Sequence, residues 1–115
     1  MESILTSIKK LLGIAEEYEH FDADLIIDIN TAFSVLTQLG VGPSDGFSIK
    51  DDSAVWSDFI SGNSRIEMVK SYIHLKVKLL FDPPLNSAVI ESINRMISEL
   101  EWRINVAVDP GEDQS

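Results

Sequence analysis

Residues 64–84 read SRIEMVKSYIHLKVKLLFDPP, and the reading of this stretch decides the fold. Ser64 and Glu67 have the S-x-x-E spacing of a capping box, so a helix is expected to begin there. At 100° per residue, Ile66, Val69, Ile73, Val77 and Leu80 fall on one face, and Met68, Tyr72, Leu75 and Leu79 on the other. Only a wedge holding Glu67, Lys70, Ser71, His74 and Lys78 is polar. A helix apolar around most of its circumference is either the centre of a bundle or covered again by a partner. Pro83 and Pro84 then remove two backbone donors and bar the residues before them from helical geometry, so the chain must turn.

Working outward, the pattern predicts an all-α chain: a compact bundle of about five helices, two of them short, around this long central one. The first is expected over residues 3–12, with Ile4, Ile8 and Leu11 on one face and Gly13 as C-cap. The second starts at Asp22 as N-cap, with Asp24 favourable in the first turn and Phe21 and Ile26 at the staple positions. Its stripe is Leu25, Ile29, Ala32, Leu36 and Leu39, ending at Gly40. A short third helix is expected over residues 53–60, closed by Gly62. The fifth, over residues 87–106, would be about 30 Å long. Ile90, Ile93, Ile97, Leu100 and Ile104 alternate three and four apart along it, a seam that should dock on the central helix. Glu91, Arg95, Glu99 and Trp102 lie opposite that seam.

One long loop, residues 40–52, separates the second helix from the third. It carries Gly40, Gly42, Pro43, Asp45 and Gly46, so turns are expected, with Phe47 and Ile49 in a short extended piece. Loops of this length are usually functional or disordered. The tail from Asp109 to Ser115 is acidic and aperiodic and is expected to be disordered, leaving residues 1–108 as a single helical domain.

At 115 residues and 44% hydrophobic composition, the chain has enough apolar sequence for one modest core. It contains no cysteine, which excludes disulfides, thiolate metal sites and a thiol nucleophile. No apolar run approaches the roughly 20 residues that span a bilayer. The N-terminus has neither the basic region nor the cleavage site of a signal peptide, so folding in the cytoplasm is expected. Formal net charge is −10. Residues 1–60 carry eleven acids and three bases, and residues 61–115 carry eight and six. Such a field repels the phosphate backbone and argues against nucleic-acid binding. It equally serves plain solubility.

Motifs for chemistry fail on inspection. Asp22, Asp24 and Asp28 lack the glycine and closing glutamate of a calcium loop and read as helix-start acids. His20 and His74 are far apart and belong to no metal-binding pattern. Gly40-Val41-Gly42 follows a helix and lacks a phosphate-binding lysine. Nothing orders a nucleophile beside a base, so no catalytic, cofactor or metal residue is assigned and no enzyme is expected.

A central helix running Tyr-Ile-x-Leu-Lys-x-Lys-Leu-Leu-Phe-Asp-Pro-Pro from Tyr72, then a helix ending Glu101-Trp102-Arg103, resembles the head-tail connector (adaptor, head completion) proteins of tailed phages. The opening residues 4–14, the stretch Gln38-Leu39-Gly40-Val41-Gly42-Pro43 and Trp56-Ser57-Asp58-Phe59 resemble that family in the same order. The resemblance implies a structural virion protein at the head-tail junction, made in the host cytoplasm. It implies a ring, twelvefold, that joins the portal to a downstream stopper or tail-side protein. DNA would be in transit through an acidic tunnel and not bound, with no cofactor and no membrane.

On that reading Trp102, a large aromatic on a charged face, is the candidate interface anchor. Arg103, Lys70, His74, Lys76 and Lys78 are the candidate basic groups facing a neighbour. The alternative is that Trp102 folds back on its own subunit. Gly42, Pro43, Asp45, Phe47, Lys50, Asp51 and Asp52 are the candidate tunnel or tail-side loop, the alternative being a surface loop with no partner. The competing functions are an acidic DNA mimic and a small prophage-encoded helical regulator, each binding a basic protein.

Overall fold

The computed structural model describes residues 2–108. The expectations for the tail, residues 109–115, lie outside the described residues. Four α-helices and one 3-10 turn are found among them: α1 (Ile4–Leu12), α2 (Asp22–Gln38), the 3-10 turn Trp56–Asp58, α3 (Asn63–Phe81) and α4 (Ser87–Val108). The fold is all-α, with a single isolated bridge between Ser3 and Val55.

Helix α3 packs against α1, α2, α4 and the 3-10 turn, which cover most of its apolar circumference from within the subunit, although Leu80, expected on the inner face, is 51% exposed. Val69, Ile73 and Val77 are fully buried with Leu25, Ile29, Ala32 and Phe33 of α2 and with Ile4 and Ile8 of α1. Around the helix from them, Tyr72 is fully buried and Leu75 and Leu79 are partly buried. The α4 seam supplies Ile93, Ile97 and Ile104, each less than a tenth exposed. Two polar contacts fix this packing. Tyr72 Oη donates to Glu101 of α4 at 2.8 Å, and Asn105 Nδ2 donates to the Leu39 carbonyl at the end of α2, also at 2.8 Å.

Helix ends follow local chemistry, with two departures from expectation. Helix α1 ends as predicted at Gly13, in the left-handed conformation at φ +82°, its N–H donating to Lys10 O. Helix α3 starts at Asn63 with Gly62 as N-cap and no side-chain cap. Ser64 therefore lies inside the first turn, and the Ser64–Glu67 capping box does not form. Asp22 is the first residue of α2 and Phe21 its N-cap. The Asp22 carboxylate goes to Lys9 instead of capping. Phe21 turns its ring edge to Phe81, 5.2 Å between centroids. At α4, Asn86 Oδ1 accepts from the N–H groups of Ala88 and Val89 and caps the helix after the prolines.

The expected helix over residues 53–60 contracts to the turn Trp56–Asp58. Its residues are drawn into other contacts. The Ala54 carbonyl accepts from Ile4 N–H at 2.9 Å, the Trp56 indole donates to Ser7 Oγ at 3.1 Å, and Asp58 Oδ2 accepts from Val55 N–H at 2.9 Å. This segment covers α1 at Ile4 and Ser7 and, with the packing of α1 on α2 and α3, leaves Ile4 through Lys9 all buried. Leu11, expected on the inner stripe, is 46% exposed.

Candidate interface surfaces

The loop after α2 is folded down onto the core. Val41 and Ile49 are buried. Asn30 clamps Ile49 with two bonds, its Oδ1 accepting from Ile49 N–H at 2.8 Å and its Nδ2 donating to Ile49 O at 2.9 Å. That is the pairing a β-strand would make, supplied by one side chain. Phe47 joins Phe33 and Phe59 in an aromatic cluster with centroids 4.7–5.2 Å apart. Gly42, at φ +85°, lies so close to the Phe59 ring that an added Cβ would sit 2.3 Å from it. Phe47 and Gly42 are therefore structural members of the loop, and Phe47–Ile49 forms no strand. Asp45, Lys50, Asp51 and Asp52 remain at the exposed rim. Asp51 accepts from both the N–H and the hydroxyl of Ser53, which holds its carboxyl below the usual range.

Between α3 and α4 runs a groove of about 370 Å³ lined by Ser71, His74, Leu75, Met96, Glu99, Leu100 and Arg103. It brings together two of the predicted basic residues, His74 and Arg103. Burial, with the nearby Lys78 ammonium second, holds His74 below its usual pKa, so the neutral imidazole is favoured. Arg103 pairs with Glu99 at 2.7 Å. Lys70 and Lys78, on the polar wedge of α3, pair along the helix with Glu67 at 3.5 Å and Asp82 at 3.1 Å. Exposed pairs of this kind contribute little and exchange partners readily. Lys76 lies apart from this group, its ammonium 5.9 Å from the Tyr72 ring centroid.

Trp102 is 68% exposed on the face of α4 away from the buried seam. It does not fold back onto the described residues. Sequence reasoning missed another uncovered residue, Ile27, which is 63% exposed. Ile27 lines a shallow pocket with Phe21, Asp24, Asp28, Leu80 and Phe81, where α2 begins and α3 ends. Its signal was present: an isoleucine off the α2 stripe with carboxylates three residues before and one after.

Among the described residues no group of three or more His, Asp or Glu side chains could hold a metal ion. No helix among them is long and apolar enough to cross a membrane. No curated protein and no solved structure matches the chain. A family model described as phage connector protein matches residues 4–111, nearly the whole length and including every element described above. The all-α bundle agrees with that match, and the chain belongs to the phage connector protein family.

Proposed function

We propose that this protein is the ring-forming adaptor that joins the portal of a DNA-filled phage head to the tail. Family membership makes it a virion component that works by contact with other virion proteins, and that match is the observation carrying the proposal. The finer picture draws support from the surface. Trp102 stands uncovered on α4 beside the exposed Glu99–Arg103 pair, as an interface anchor ringed by polar groups does. The folded loop carries Asp45, Asp51 and Asp52 outward on a body pinned by Asn30, which suits a rim that meets the tunnel or the tail-side protein. A net charge of −10 suits a bore that lets DNA slide without gripping it, since attraction to phosphates would slow every step.

Mechanistically the work is geometric and electrostatic. Neighbouring subunits close a ring, twelvefold by resemblance. One face of the ring receives the portal, the other the stopper or tail-side protein. Electron microscopy of the protein mixed with its portal, beside light scattering of each alone, tests this reading. Rings seated coaxially on the portal are expected. A strict monomer indifferent to portal would overturn the adaptor assignment.

A further inference from the structure

Between Lys10 and Lys50 the chain carries seven acids and no lysine or arginine. This stretch builds most of an apolar surface where α2 begins and α3 ends. Two shallow pockets of about 320 and 410 Å³ adjoin there, and Phe21 and Phe81 line both. The two rings pack edge to face at 5.2 Å, so they form the wall that the pockets share. Ile27 and Leu80 line the first pocket, Leu12 and Ile14 the second. Ile27 and Leu80 are each more than half exposed.

The charge on this surface has one sign. Asp24 and Asp28 line the first pocket and Asp82 the second, and no Lys, Arg or His lines either. Lys78 is engaged with Asp82 at 3.1 Å, and Lys9 is buried against Asp22. His20 packs on Phe21 at 4.9 Å without lining a pocket. Among the described residues Asp24 and Asp28 have no ion-pair partner. Burial first and the Asp24 charge second raise the Asp28 carboxyl, as befits two carboxylates left without a cation.

Whatever covers this surface must therefore bring positive charge along with apolar side chains. A second copy of the chain is a poor source. It carries a net charge of −10, and five of its nine bases are engaged with its own acids. Trp102 belongs to a separate surface. Helices α2 and α4 both pack on α3, and Ile27 and Trp102 stand on the sides of those two helices away from their buried stripes. A portal contact at Trp102 leaves Ile27 for another partner.

We propose that the surface between the start of α2 and the end of α3 receives a short segment of the tail-side protein, in which apolar side chains sit beside lysine or arginine. The proposal rests on the adaptor reading above and names the surface for its second partner. One apolar side chain seats against Ile27 and Leu80, and another lies beyond the Phe21–Phe81 wall against Leu12 and Ile14. The basic group faces Asp24 and Asp28. Burial of exposed apolar area supplies affinity, and the carboxylates select a basic segment over an acidic one.

The chain has no cysteine, so an Ile27→Cys variant takes a single benzophenone label. Labelled full-length chain, assembled on portal, is irradiated with the tail-side protein, and mass spectrometry identifies the attached segment. The expected product joins position 27 to a segment of the tail-side protein that contains Lys or Arg. A product with a second copy of this chain, with portal, or with a segment lacking both bases overturns the proposed occupant. A second measurement does not depend on the label. Ile27→Ala combined with Asp24→Asn and Asp28→Asn should weaken binding of the tail-side protein to portal-mounted rings by about tenfold or more. Portal co-sedimentation of the same variant should hold. Unchanged tail-side binding overturns the docking surface and leaves the adaptor reading standing. A parent chain that binds neither portal nor the tail-side protein overturns both.

Discussion

Lys9 Nζ lies 2.8 Å from Asp22 Oδ1 with the lysine side chain only 2% exposed. The same ammonium donates to the Glu16 carbonyl at 2.8 Å. One buried cation thus ties α1 to the connecting segment and to the first turn of α2. The Asp22 oxygen makes no hydrogen bond of good geometry, so the contact is ionic more than directional. It explains why Asp22 does not serve as N-cap.

Removing the anion alone should cost the most here, because it strands a desolvated ammonium. Asp22→Ala is expected to destabilise the subunit by about 3 kcal/mol. Lys9→Met keeps the length of the side chain and removes the charge, and the Asp22 carboxylate, 27% exposed, can then take water. That variant should cost clearly less, in line with apolar replacement of buried charges. Urea denaturation of both variants checks the order. If Lys9→Met proves the more damaging, the ammonium contributes more than the packing of its stem.

Gly42 offers a sharper test of the loop. Alanine there would be strained at φ +85° and would place Cβ 2.3 Å from the Phe59 ring, which is held among Phe33 and Phe47. Overpacking plus the left-handed penalty should cost about 3 kcal/mol. Gly46, at φ +98° with open space around it, carries only the backbone term, about 1–2 kcal/mol on conversion to alanine. Equal losses for the two variants would mean that the Phe59 contact relaxes freely.

Helical periodicity located most of this fold. The seam of α4 and the stripe of α2 bury as the pattern requires, because both are decided by local spacing against one partner. What escaped the pattern depends on contacts distant in sequence. The 53–60 segment has helical spacing, yet Ser7 and Ile4 capture Trp56 and Ala54, and only a turn survives. The Asn30–Ile49 clamp joins residues 19 apart, and nothing in the composition of the loop announces it. Lys9 looked like surface because lysine usually is, and its burial needs Asp22 and Glu16 to converge on it. Of the candidate site, Trp102 was legible as an aromatic on the wrong side of its helix, and His74 and Arg103 as bases. That they share a groove follows from α3 and α4 lying side by side. Ile27 passed unnoticed because its flanking acids were read only as helix-start charges.

Asp28 gives a pH dependence with a definite sign. Its carboxyl is raised above the ordinary value of 3.8 by burial and then by Asp24. At neutral pH the folded state carries an ionised group that it disfavours, so Asp28→Asn should be more stable than the parent. As pH falls through the raised folded value toward 3.8, the folded parent takes up its proton before the unfolded chain does. The parent then gains stability relative to the variant, and the advantage of asparagine disappears. Urea midpoints of dilute samples across that range measure it. A pH-independent difference would assign the effect to something other than titration.

Duplex DNA should not be retained in a gel shift at about 0.15 M salt, where screening still leaves close contacts intact. A chain of net charge −10 has few phosphate counterions to release, and five of its nine bases pair with acids. Retention at that salt would remove the electrostatic argument for an acid-lined passage.

Trp102→Ala separates folding from attachment. The indole is 68% exposed and the seam that docks α4 is carried by Ile93, Ile97 and Ile104, so its loss should change subunit stability by no more than about 0.5 kcal/mol. An exposed tryptophan that becomes buried at the centre of an interface behaves differently, and truncation there typically costs about 2 kcal/mol or more of binding. The expected result is an unshifted thermal melt beside a roughly thirtyfold weaker co-sedimentation with portal. Ile104→Ala supplies the contrast, because it opens the buried seam and should lower the melting temperature through a loss of about 2–4 kcal/mol. If the melt collapses for Trp102→Ala while portal binding per folded molecule holds, the tryptophan supports the subunit and the attachment surface lies elsewhere.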